Sequence, residues 1–229
     1  MSFASHPNRC RLVLVLDGDT VARLGEAAAD TLQAACNAGD VASVILAPGS
    51  LAEEAFEPLV EPLVPIAQQG GVAVIVAGYT RTAGRVGADG VQFGQNPEAI
   101  ADAVDRFTPK MMVGAANVKS RHTALVIGEL QPDYLMFGRP GGDTHDVPDP
   151  KVLALAEWWA QMVEIPGIAM GGRTVGSVTA VAATGCDFVA LGTGVFGNED
   201  AIMSSEDAAE AVARANALLD EHAPSFDEE

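Results

Sequence analysis

The sequence predicts an α/β fold, a single-domain (βα)8 TIM barrel, on three observations. Eight short apolar runs alternate with helix-period segments, an aspartate recurs at the start of every second run, and 229 residues suffice for one such barrel. Strand 1 is Arg11–Leu16, and the helix Val21–Ala38 follows it. Strand 2 is Val41–Leu46, followed by the helix Leu51–Gln69. Strand 3, Val72–Val76, and strand 4, Gly90–Phe93, lead to the helix Pro97–Phe107. Strands 5 and 6 are Met111–Gly114 and Asp133–Phe137, and the helix Lys151–Met162 comes after the latter. Strands 7 and 8 are Ile165–Met170 and Phe188–Leu191, and a last helix runs near Ser205–Asp220. Strands that are apolar almost throughout, alternating with helices, indicate a parallel sheet covered on both faces.

Asp40, Asp89, Asp133 and Asp187 open strands 2, 4, 6 and 8. A unit of two βα pairs repeated four times closes into a barrel more naturally than into an open sheet. These aspartates fall on the N-terminal face, where special residues serve stability, and are assigned to turns. Residues 1–10 are expected to form an N-terminal extension, 11–220 the barrel and 221–229 an acidic tail containing Pro224.

Composition narrows the function. The chain has 13 Lys+Arg against 31 Asp+Glu, a net charge of −18. Such a polyanion neutralises phosphates poorly, so nucleic acid is not expected as a partner, and anionic membranes repel it. With 48% hydrophobic and 19% charged residues the chain can build a sizeable core. The N-terminus shows no apolar stretch of signal-peptide length, and the apolar runs are strand-sized. Cys10, Cys36 and Cys186 are odd in number and widely spaced, favouring reduced thiols, buried filler and a cytoplasmic location. No His/Asp/Glu spacing resembles a metal site.

In such barrels the site lies at the C-terminal ends of the strands. The residues expected there include Asp17 and Asp19 after strand 1, Arg81 after strand 3, Gln92 in strand 4, Asn117 and Lys119 after strand 5, and Arg139 after strand 6. The turns after strands 7 and 8, Gly171-Gly172-Arg173 and Gly192-Thr193-Gly194, offer backbone N–H groups to a phosphate, with Arg173 adding charge. Tight turns requiring glycine account for the same residues without a ligand. Gly192-x-Gly194-x-x-Gly197 matches a dinucleotide motif literally, but no further strand completes a βαβ unit after it. The strand 6 loop supplies Asp143 and His145, which with Asp17 are the acid–base candidates; a polar surface loop is the plainer reading. His6 and His222 are terminal, and His122 belongs to the helix after strand 5. Asp19 is equally a helix cap. Of Trp158 and Trp159, one is expected to pack inward and the other is a candidate oligomer contact.

Gly87-Ala88-Asp89-Gly90-Val91-Gln92-Phe93-Gly94-Gln95 resembles the strand 4 segment of thiamine-phosphate synthases. Asp133–Gly138, Ile165–Gly172 and Gly185–Ala190 followed by Thr193-Gly194-Val195-Phe196 resemble that family's strands 6, 7 and 8. The resemblance implies a barrel that joins an aminopyrimidine methyl diphosphate to a thiazole phosphate, with Mg2+ and basic residues stabilising the departing diphosphate. It also implies a thiazole phosphate resting on Gly171, Gly172, Gly192, Thr193 and Gly194. Elsewhere the chain departs from the family pattern. Ala47-Pro48 stand where a Gln-x-Arg-x-Lys segment is expected, Ala77-Gly78 where an Asn-Asp pair is expected, Pro97 at the second metal-binding Asp, and Ala116 at a Ser. Removing one electrostatic partner of this kind commonly costs a factor of ~100 or more in rate. Gly192–Phe196 also looks like the related thiazole tautomerases, whose histidine after strand 6 aligns with Arg139.

The resulting expectation is a barrel of this superfamily that binds a small phosphorylated metabolite of the thiazole phosphate or thiamine phosphate type, without assuming ordinary synthase turnover. The alternatives are a non-catalytic phosphometabolite-binding or regulatory protein, and a tautomerase or isomerase. A homodimer is considered. Arg81, Lys119, Arg139 and Arg173 are expected to converge at the mouth as a positive funnel in a negative shell.

Overall fold

The computed structural model describes residues 9–223, so His6 and the tail from Pro224 onward lie outside the described residues. Within this span eight parallel strands pair in chain order and close between first and last. They are β1 (Arg11–Asp17), β2 (Val41–Ala47), β3 (Ala73–Ala77), β4 (Gly90–Phe93), β5 (Met112–Val118), β6 (Tyr134–Phe137), β7 (Gly167–Met170) and β8 (Phe188–Leu191). The helices are α1 (Gly18–Leu24), α2 (Ala28–Asn37), α3 (Glu53–Val60), α4 (Leu63–Gln69), α5 (Thr80–Val86), α6 (Pro97–Phe107), α7 (Arg121–Gly128), α8 (Pro150–Met162), α9 (Val178–Ala182), α10 (Thr193–Phe196) and α11 (Ser205–Glu221). The fold is the (βα)8 barrel that the strand count predicts.

Two segments expected as single helices are broken. Gly25, at φ +55°, interrupts the first, and Pro62 stands between α3 and α4, where its missing N–H ends the hydrogen-bond ladder. The fifth strand runs four residues beyond its predicted end, through Asn117 to Val118, with a register irregularity between Ala115 and Val118.

Strand side chains alternate between two cores. Leu12, Leu14, Val44, Val74 and Leu135 face outward against the helices, whereas Val13, Ile45, Ile75, Met136 and Ile168 fill the lumen. Within the lumen the Tyr134 hydroxyl donates to Gln92 Oε1 at 2.8 Å. Gly114 makes room for that ring, since a Cβ there would overlap it. Burial raises the Tyr134 phenol pKa. At the mouth end of β2, β3 and β5 the inward residues shrink to Ala47, Ala77 and Ala116, leaving a hollow.

The repeating aspartates close the other end. Val74, Val113 and Gly167 donate their N–H groups to Asp89, Asp133 and Asp187 at 2.8, 2.7 and 2.8 Å. Asp40 instead accepts from the Arg11 guanidinium at 2.9 and 2.7 Å and from Arg9 at 3.1 Å. Arg9 is buried and also donates to Asn216 Oδ1 at 2.7 Å, tying the start of the described chain to α11. All three cysteines are free and buried, and burial pushes the Cys36 and Cys186 thiols up to about 12. Trp159 is the inward-packed tryptophan, donating to the Ile165 carbonyl at 2.7 Å. Trp158 is half-buried, with the Arg121 guanidinium 5.1 Å from its ring centre. Among the described residues no helix is long and apolar enough to cross a membrane.

Candidate functional site

A cavity of about 590 Å3 opens at the C-terminal ends of the strands. Its floor includes Gln92, Ala47, Ala77 and Ala116, and its walls carry Asp17, Thr20, Arg23, Asn117, Arg139 and Thr193. Asn198 and Glu199 reach it from the segment after α10. Asp17 is bonded locally: it caps α1, accepting from the Thr20 N–H at 2.8 Å and the Thr20 hydroxyl at 3.1 Å. The helix cap is thus Asp17, not Asp19. Asp19 accepts from the Ser50 hydroxyl and N–H, and the Ser50 hydroxyl holds its pKa below the usual carboxylate value. Arg23 donates to the Thr20 hydroxyl at 2.8 Å.

The turns after β7 and β8 lie under the loop that follows β6. One oxygen of Asp143, which is only 3% exposed, accepts from the N–H groups of Gly192 at 3.2 Å and Thr193 at 2.6 Å. The Arg173 N–H donates to the His145 carbonyl at 2.8 Å, and the Gly172 N–H to the Ser177 hydroxyl at 2.9 Å. The Gly171 N–H is held by the Ala190 carbonyl at 2.9 Å. A Cβ on Gly172 would meet the Asp146 carbonyl oxygen at 2.5 Å, and one on Gly194 the Arg173 carbonyl oxygen at 3.1 Å. Glycine at these two positions lets the loop and turns approach backbone to backbone. Two amides converging on one carboxylate oxygen form a small anion-binding nest, filled here by the chain's own side chain.

The four expected cations do not all converge at the mouth. Arg139 lines the mouth cavity and also an adjoining one, which Lys119 lines with it, and Arg81 lines neither. Arg173 is exposed and bound to Asp146 at 2.6 Å. Arg23 and Arg139 face Asp17, Asp19 and Glu199 across the mouth, so its lining is not a positive funnel. His145 is exposed, its Nδ1 3.0 Å from the Thr144 hydroxyl, and lines neither cavity. Asp17, Asp143 and His145 therefore do not share either of these two cavities. Sequence reasoning missed Arg23, Asn198, Glu199 and Lys151. For Lys151 a signal existed, because Asp149-Pro150 is a cap followed by a first-turn proline that starts α8 at the mouth.

The residues present do not fit the Mg2+ that the resemblance implies. No group of three or more His, Cys, Asp or Glu among the described residues is arranged to hold a metal ion. Ala77 and Gly78 line the mouth where an Asn-Asp pair was expected.

Residues 12–195 match the family model described as thiamine monophosphate synthase. The thiamine-phosphate synthase of Rhodospirillum centenum is 38% identical over 175 residues, covering 75% of this chain and 83% of that protein. The thiamine-phosphate synthase of Hyphomonas neptunium is 31% identical over 199 residues, covering 84% and 88%. Among solved structures, a thiamine phosphate pyrophosphorylase from Pyrococcus furiosus superposes with a TM-score of 0.72 at 22% identity over 94% of this chain and 98% of the other, a likeness of fold.

Proposed function

This chain belongs to the thiamine monophosphate synthase family, and from that premise we propose that it acts in thiamine metabolism on a small phosphorylated ligand of the thiazole phosphate or thiamine phosphate type. The ligand's phosphate would take the amides of Gly192 and Thr193, beside Gly171, Gly172, Arg173 and Gly194. The observation that carries this reading is the seating of Asp143: those two amides already hold an anionic oxygen at 3.2 and 2.6 Å. Phosphate would displace the carboxylate and release the loop that covers the turns. Asp143 would then stand free as an acid–base group, with His145 on the same loop and Asp17 in the mouth wall. The chemistry supported is proton or group transfer on the bound ligand, and ordinary synthase rates are not expected. The buried, unpaired thiols are compatible with a cytoplasmic protein.

The test is calorimetric titration with thiazole phosphate and thiamine phosphate, together with turnover of purified protein given Mg2+ and both family substrates. Saturable binding with little or no synthesis is expected. Synthesis at ordinary family rates would overturn the catalytic part, and failure of both phosphates to bind would overturn the ligand class. A non-catalytic binding or regulatory role is the second reading, favoured by the carboxylates of Asp17 and Asp143 being bonded and by His145 being exposed. Binding with no turnover of any kind would select it.

A further inference from the structure

Beside the mouth lies a second cavity of about 590 Å3, between the ends of β5, β6 and β7 and the start of α8. Its charge is opposite in sign to that of the mouth. Lys119, Arg139 and Lys151 line it against a single carboxylate, Asp149, a balance of +2. None of the three cations has an ion-pair partner among the described residues, a condition shared by Arg23, Arg81, Lys110, Arg121 and Arg214; what sets the three apart is that they line one cavity. Asp149 already caps α8, accepting from the Lys151 N–H at 2.8 Å. In a chain of net charge −18, three cations gathered against one carboxylate repel one another and concentrate small anions locally.

The rest of the lining is of another kind. Val152, Leu155 and Met170 supply an apolar wall, and the volume is that of a small-metabolite pocket. Asn117 stands between the two cavities and lines both. Its backbone is left-handed, φ +61°, a conformation uncommon outside glycine, and its N–H donates to the Gly138 carbonyl at 2.7 Å. Gly138 is itself at φ +88°, and a Cβ there would meet the Met170 side chain at 2.6 Å. The ends of β5 and β6 are therefore fixed in an unusual geometry at the wall the two cavities share.

We propose that this second cavity is a binding site for a phosphate monoester with a compact apolar body. Lys119, Arg139 and Lys151 hold the dianion, and Val152, Leu155 and Met170 pack the body. The site is separate from the amides of Gly192 and Thr193 and does not depend on them. Because Asn117 and Arg139 line both cavities, ligands in the two sites would meet at those residues.

The test is calorimetric titration of the full chain with phenyl phosphate and with inorganic phosphate. The variants are the double substitution Lys119→Gln/Lys151→Gln and the charge-matched control Lys110→Gln/Arg214→Gln. The lysines of the first pair are exposed, and an unchanged Tm checks that the variant folds. Phenyl phosphate is expected to bind saturably and more tightly than inorganic phosphate. The first double variant is expected to weaken it about tenfold or more, the control to leave it within about twofold, and added salt to weaken it in the wild type. Absence of saturable binding would overturn the site. So would an equal loss in the control, which would indicate bulk charge, or undiminished binding in the first variant, which would move the anion to the β7 and β8 turns. Failure of this site leaves Asp143→Asn, which touches only those turns, as a separate test of the proposed function.

Discussion

Asp143 joins two parts of the chain that are 49 residues apart in sequence, closing the turn after β8 with a carboxylate oxygen. A charged acceptor makes roughly twice as strong a hydrogen bond to an amide as a neutral one. On the proposed function, Asp143→Asn keeps the size of the side chain and loosens its hold on Gly192 and Thr193. Phosphate binding at these turns should then tighten several-fold, measured by calorimetry with thiazole phosphate; unchanged or weaker affinity would count against displacement. The sequence marks Asp143 as an acid–base candidate because it is a polar residue in a mouth loop. Its burial depends on where that loop folds, which no local pattern encodes. Arg81 illustrates the opposite case: its sequence position is near the mouth, yet its side chain lines neither cavity.

At the scale of elements, each even strand is pinned to the preceding odd one by a side chain rather than by backbone alone. Asp133 and Asp187 accept N–H groups at the first pleats of β5 and β7. Deleting such an acceptor leaves a part-buried amide without its partner, which costs about 1–3 kcal/mol. Asp133→Ala and Asp187→Ala should each lose stability of that size in urea denaturation, with the slope unchanged. A loss under about 0.5 kcal/mol in both would mean that water replaces the carboxylate. The repeat was legible because strand starts recur with an aspartate four times. The breaks at Gly25 and Pro62 were not taken from it, because helical periodicity continues in composition across residues that interrupt the hydrogen-bond ladder.

For the whole molecule, the join between β1, β2 and α11 rests on Arg9, Arg11, Asp40, Asn216 and Asp220. The hydrogen bond from Arg11 holds the Asp40 pKa below its ordinary value, and Arg9 adds to this. A carboxylate depressed on folding contributes stability above its unfolded pKa, about 3.9, that is lost as pH falls through the folded value. Stability should therefore drop on acidification below about pH 4. In Asp40→Ala, which leaves Arg9 buried with one charge partner fewer, stability at neutral pH should fall by on the order of 3 kcal/mol and the acid-limb slope should flatten, read from Tm against pH. An unchanged slope would assign acid sensitivity to other carboxylates. The fold was determined by the sequence alone, through eight apolar runs, their helical spacers and the repeated aspartates, since periodicity and chain length leave a parallel closed sheet as the consistent packing. The family, too, was carried by its ordered strand motifs. Tertiary structure alone decided that the turns after β7 and β8 are covered, that the mouth is not cationic, and that Lys119, Arg139 and Lys151 share a cavity. Periodicity assigns a side chain to a face, but charge convergence depends on loop paths and hydrogen bonds between residues far apart in the chain.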